Sequence, residues 1–69
     1  MMKYSFEDVK IGDSVFFEDD IQSNYDLYWK VIEKDRSSKQ LVVQINEMGH
    51  FDERWVIKPE QIKYLEKGK

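Results

Sequence analysis

Leu41, Val43 and Ile45 alternate with Gln40, Val42, Gln44 and Asn46. A period of two sends successive side chains to opposite faces, which suits a strand and not a helix. The same alternation recurs along the chain. Val15 and Phe17 share a face against Ser14, Phe16 and Glu18, and Leu27, Trp29 and Val31 oppose Tyr28, Lys30, Ile32 and Lys34. Trp55 and Ile57 fall together in a later run. Composition points the same way: there is no Ala and no Thr, while Val and Ile supply twelve residues. Ala is the best helix former, and β-branched and aromatic residues favour strands. The chain is predicted to be all-β.

The punctuation between these runs sets their order. Ser5-Phe6-Glu7-Asp8 has capping-box spacing and predicts one short helical turn over 5–9, with Phe6 and Val9 plugging an end of the core. Gly12 and Asp13 stop it. Strands are predicted over 14–18, 27–35, 40–46, 53–58 and 63–65. The second and third are joined as a hairpin by the polar turn Asp35-Arg36-Ser37-Ser38-Lys39. A further turn holds Gly49, the expected positive-φ residue, and Pro59-Glu60-Gln61-Ile62 suits a single 3-10 turn before the last strand. The predicted inner wall is Val15, Phe17, Trp29, Val31, Leu41, Val43, Ile45, Trp55 and Ile57.

Size and missing residue types bound the chemistry. Sixty-nine residues make one domain, 1–69, with a core over about 5–65 and a frayed tail over 66–69. Without cysteine there are no disulfides, no thiol catalysis and no Cys-type metal site. Three glycines, at 12, 49 and 68, form no phosphate-cradling loop. His50 is the only histidine and lacks the partners of a triad or a metal cluster. No cofactor, no metal and no enzymatic activity are expected. The N-terminal residues lack a signal-peptide core and no apolar run approaches a membrane span, so a cytoplasmic protein is expected.

Five short strands with a 3-10 break before the last form the layout of a small SH3-like barrel, in which closing the sheet covers its edges. Particular residues support this. Val9-Lys10-Ile11-Gly12-Asp13-Ser14-Val15, Tyr28-Trp29-Lys30-Val31-Ile32, Leu41-Val42-Val43-Gln44-Ile45, Gly49 and Trp55-Val56-Ile57-Lys58-Pro59-Glu60-Gln61-Ile62 resemble the Tudor/KOW-like branch of SH3-like barrels. The resemblance spans roughly 9–65 and implies binding: methylated side chains for Tudor domains, RNA or ribosomal and transcription partners for KOW domains, Pro-rich peptides for SH3 domains. For a Tudor cage it implies walls from Tyr28 or Trp29 and Phe51, whereas Asp19, Ile45 and Asn46 stand where further rings would be wanted.

Charge is unevenly spread. Residues 1–26 carry seven carboxylates against two lysines, and 27–69 carry seven against nine basic residues, giving −3 for the chain. The acidic stretch 18–26 interrupts the alternation and reads as a loop. Phe6, Phe17, Trp29, Trp55 and either Phe51 or Tyr64 are expected in the core, leaving Phe16, Tyr25 and Tyr28 as surface rings. The leading expectation is a non-enzymatic module that docks on a protein with a basic surface, through Phe16, Glu18, Asp19, Asp20, Tyr25, Asp26, Tyr28 and Phe51. Such a module would suit a phage or bacterial accessory protein. The alternative is an RNA- or single-stranded-DNA-binding face built from Lys30, Lys34, Arg36, Lys39, Lys58 and Lys63. An acidic mimic of DNA is a weaker third reading, since eleven bases offset fourteen acids. The expected state is a monomer or a weak edge-strand dimer.

Overall fold

The computed structural model describes residues 4–21, 23–45 and 53–68. Five strands follow in chain order: β1 (Ser14–Phe17), β2 (Trp29–Asp35), β3 (Gln40–Ile45), β4 (Glu53–Ile57) and β5 (Ile62–Glu66). A 3-10 turn at Phe6–Asp8 precedes β1, and another at Pro59–Gln61 leads into β5. The fold is all-β. The strands form a single open antiparallel sheet in the order β4-β3-β2-β1-β5, so the first strand sits between the second and the last. No pairing joins β4 to β5 among the described residues, and the expected closure of the sheet is not observed.

The first 3-10 turn begins as its sequence dictates. The Ser5 N–H donates to the Asp8 carboxylate at 2.9 Å, and the Asp8 N–H donates back to the Ser5 carbonyl at 3.0 Å. The hairpin turn is likewise local chemistry: Asp35 accepts from the Ser37 N–H at 3.0 Å, and Lys39 takes the left-handed conformation that brings the chain into β3. Gly49, His50 and Asn46 lie outside the described residues.

One face of the sheet is the core. Val9, Val15, Phe17, Trp29, Val31, Leu41, Val43, Ile45 and Ile57 are all but inaccessible, and Phe6 and Ile62 close the ends. Eight of the nine predicted inner-wall residues are therefore buried. Trp55 is half-buried against that cluster.

Two bulges break the simple alternation. Val31 pairs with Val43 but Glu33 pairs with Val42, so Ile32 is an extra residue in β2. Phe16 pairs with Tyr64 but Phe17 pairs with Ile62, so Lys63 is an extra residue in β5. Each bulge exchanges the faces of the residues beyond it. Lys34 thus shares a face with its partner Leu41 instead of with Lys30, and Tyr64 turns outward beside Phe16.

Of the residues expected to fray, 66–68 are tied down, and Lys69 lies outside the described residues. Glu66 belongs to β5, the Gly68 N–H donates to the Asp13 carboxylate at 2.8 Å, and the Lys67 ammonium lies 3.5 Å from it. A β-carbon on Gly68 would meet the Gly12 carbonyl oxygen at 2.3 Å, which explains a glycine at this close approach. Asp13 is 4% exposed. Burial pushes its carboxyl up, but the Gly68 and Lys10 backbone N–H groups and the Lys67 ammonium together hold it below the ordinary carboxylate value. A carboxylate lowered on folding stabilises fully above its unfolded value of about 3.9 and loses that contribution as pH falls through the folded one. Asp8, lowered by its bonds with Ser5, acts in the same direction. Asp13→Asn is expected to cost about 1–2 kcal/mol at neutral pH, because an amide cannot accept from both N–H groups. It should also flatten the loss of stability below about pH 4. Urea midpoints measured between neutral and acid pH check both; an unchanged acid limb would remove Asp13 as its source.

Candidate functional site

The loop between β1 and β2 is organised by Asn24. Its side-chain N–H donates to the Phe17 carbonyl at 2.6 Å, and its side-chain oxygen accepts from the Asp26 N–H at 2.8 Å. Its own carbonyl accepts from the Leu27 N–H and from the Trp29 indole, both at 3.0 Å. Between these bonds Tyr25 and Asp26 both adopt left-handed backbone, with φ of 54° and 56°. Two consecutive non-glycine residues there are strained, and surrounding bonds must hold them. Tyr25 stacks on Trp29 with centroids 6.3 Å apart and donates its hydroxyl to Glu53 at 2.8 Å. Asp26 is exposed and lines a groove with Tyr28.

The outer face of β2, β1 and β5 carries a row of rings. Phe16 is half-buried between Tyr28 and Tyr64, with centroids 5.7 and 6.0 Å away and ring planes tilted by 59° and 56°. Tyr28 is 39% exposed and Tyr64 57%. Sequence reading found Phe16 and Tyr28 and weighed Tyr64 for the core. Strict alternation from Ile62 places Tyr64 inside, and the bulge at Lys63 puts it outside. Beside Tyr28 lies an open groove of about 500 Å³, also lined by Ser14, Asp26, Leu27, Lys30, Gln44 and Glu66.

The predicted acidic residues divide into separate roles. Asp19 is half-buried and accepts from the Trp55 indole at 3.2 Å, the Gln61 amide at 2.8 Å and the Ile21 N–H at 2.8 Å. It joins the loop to β4 and to the second 3-10 turn and is a structural group. Glu18 pairs with Lys63 at 3.4 Å, and its backbone bonds to Gln61 in both directions. Asp20 is exposed. Charge reversal at Asp19 is therefore expected to cost about 2 kcal/mol through its lost bonds. Asp20→Lys should fall within about 0.5 kcal/mol of the parent, as exposed substitutions do. Urea midpoints of the two variants distinguish them, and equal values would refute the structural role of Asp19.

Phe51 lies outside the described residues, and Trp29, weighed above as a cage wall, is wholly buried. The lysines and arginine of the alternative face do not share one. Lys30 lies on the outer face, opposite Ser14 and Gln44. Lys34 reaches over the end of the core, donating to the Val9 carbonyl at 2.5 Å with its ammonium 4.3 Å from the centre of the Phe6 ring. Lys39 lies 5.3 Å from that ring and 3.5 Å from Glu7. Arg36 is exposed in the hairpin turn, Lys58 flanks the second 3-10 turn, and Lys63 is the bulge residue paired with Glu18. The Ile32 bulge is the physical reason that Lys30 and Lys34 part.

Among the described residues no group of three or more His, Cys, Asp or Glu side chains could hold a metal ion, and no helix is long and apolar enough to cross a membrane. Comparison with protein-family models, with curated proteins and with solved structures gives no match to this chain.

Proposed function

We propose that the chain is an SH3-like β domain acting as a non-enzymatic module that docks on a protein partner through the outer face of β2, β1 and β5. The observation that carries this reading is the row Tyr28–Phe16–Tyr64, three adjoining rings on a sheet face with two of them well exposed. Exposed adjoining aromatics mark interaction surfaces, and tyrosine adds a hydroxyl that tolerates both water and a partner. The SH3-like assignment rests on the strand order, which places β5 beside β1, and on the 3-10 turn that leads into β5. Asp26 and Glu66 beside the row favour a basic partner.

The test is capture of the partner from cells that express the chain, with the parent and with Tyr28→Ser and Tyr64→Ser. Both positions are exposed enough for the fold to survive, which chemical-shift dispersion checks. Loss of the same protein with either variant supports the reading. Undiminished recovery with both rejects it.

A further inference from the structure

The groove beside Tyr28 narrows the chemistry of what docks there. It carries two carboxylates, Asp26 and Glu66, against the single ammonium of Lys30. Neither carboxylate has a hydrogen-bond or ion-pair partner among the described residues, so both are available to an incoming group. Their backbone positions are fixed. Asp26 is locked by Asn24, and Glu66 is opposite Ser14 in the β1–β5 ladder. Tyr28 and Leu27 line the same groove and supply its apolar part. Gln44 also lines the groove, and Arg54 donates to its side-chain oxygen at 3.1 Å.

Resting on the docking face argued above, we propose that this groove receives an arginine side chain from the partner. The stem and the guanidinium plane lie against Tyr28, and the N–H groups reach Asp26 and Glu66. A planar guanidinium matches this lining better than an ammonium, since it stacks on a ring while donating sideways to carboxylates. Lys30 opposes a second cation close by, which favours one arginine over a polybasic run. Open grooves leave ion pairs in contact with water, so each contact is weak and a lone arginine should bind with a dissociation constant of about 1 mM.

The probe is a blocked peptide with one arginine between glycines, titrated into the nitrogen-15-labelled chain. Saturating shifts at the amides of Tyr28, Lys30 and Glu66 are expected. The same peptide with citrulline keeps the shape and loses the charge, and should bind at least about tenfold more weakly, a loss of about 1.4 kcal/mol. Asp26→Asn with Glu66→Gln should lose as much, and both changes suit their sites: asparagine tolerates left-handed backbone, and Glu66 is exposed. Equal binding of the citrulline peptide overturns the proposal, as do shifts confined to the Lys34 and Arg36 end. Shifts at these amides with a thymidine octamer but not with the peptide would replace it with a nucleic-acid site. Shifts that grow with protein concentration alone would assign the groove to a second copy. If partner capture depends on Tyr64 while the carboxylate variants and citrulline change nothing, the docking face stands and the arginine assignment falls.

Discussion

Trp29→Ala is expected to leave the chain largely unfolded at 25 °C. Trp29 is the largest of the wholly buried side chains. Its ring meets Phe17 edge-on at 5.2 Å, carries Tyr25 stacked on it, and its indole N–H donates to the Asn24 carbonyl. Truncating a buried tryptophan costs about 3–5 kcal/mol. A domain of fewer than about 70–80 residues without staples rarely has more than about 3–5 kcal/mol from its core. The two quantities are the same size, so one substitution consumes the margin. Trp55→Phe is the control. Trp55 is only half-buried, and the loss of its bond to Asp19 should cost about 1 kcal/mol. Far-ultraviolet circular dichroism and proton chemical-shift dispersion read the outcome. A cooperative unfolding transition for Trp29→Ala near that of the parent would show that the core does not centre on this ring.

Most of the fold could be read from alternation, because the pleat enforces it wherever one face is buried. Val15 with Phe17, Trp29 with Val31, and Leu41 with Val43 and Ile45 needed no more than a period of two. Reading failed where the period itself fails. A bulge inserts one residue without any compositional signature, and nothing in Lys30-Val31-Ile32-Glu33-Lys34 announces that Ile32 is the extra one. That single residue removes Lys34 from the face of Lys30 and sends it over Phe6. The same event at Lys63 moves Tyr64 from the expected core to the outer row.

Part of the candidate site was readable for a different reason. Phe16 and Tyr28 oppose strongly apolar neighbours in their strands, so their outward direction follows from pattern alone. Asp19 was identified as a carboxylate in the right loop, but long-range bonds to Trp55 and Gln61 decide its role, and local sequence carries no trace of them. Glu66 escaped notice because the strand that holds it was expected to end at Leu65. Asn24 escaped as one polar residue among many in an acidic loop.

Asn24→Ala should therefore show in two ways at once. Removing the amide deletes its bonds to the Phe17 carbonyl and the Asp26 N–H, and leaves Tyr25 and Asp26 in left-handed backbone with less to hold them there. Net losses of about 1 kcal/mol per bond, and of about 1 kcal/mol or more where a part-buried partner is left unsatisfied, put the cost at about 2–3 kcal/mol. Asn24→Asp separates the two bonds. A carboxylate still accepts from the Asp26 N–H but cannot donate to the Phe17 carbonyl, and it adds charge beside Asp26, so an intermediate loss is expected. Urea midpoints give the stability order parent, Asn24→Asp, Asn24→Ala. The second effect is on the groove. With Asp26 no longer held, the arginine peptide should lose affinity for Asn24→Ala under conditions where the variant remains folded, whereas a destabilising core substitution in β4 such as Ile57→Val, which does not line the groove and costs about 1 kcal/mol, should leave peptide binding unchanged. If both variants lost stability and neither lost affinity, Asn24 would be a scaffold residue only, and the position of Asp26 would not matter to what the groove receives.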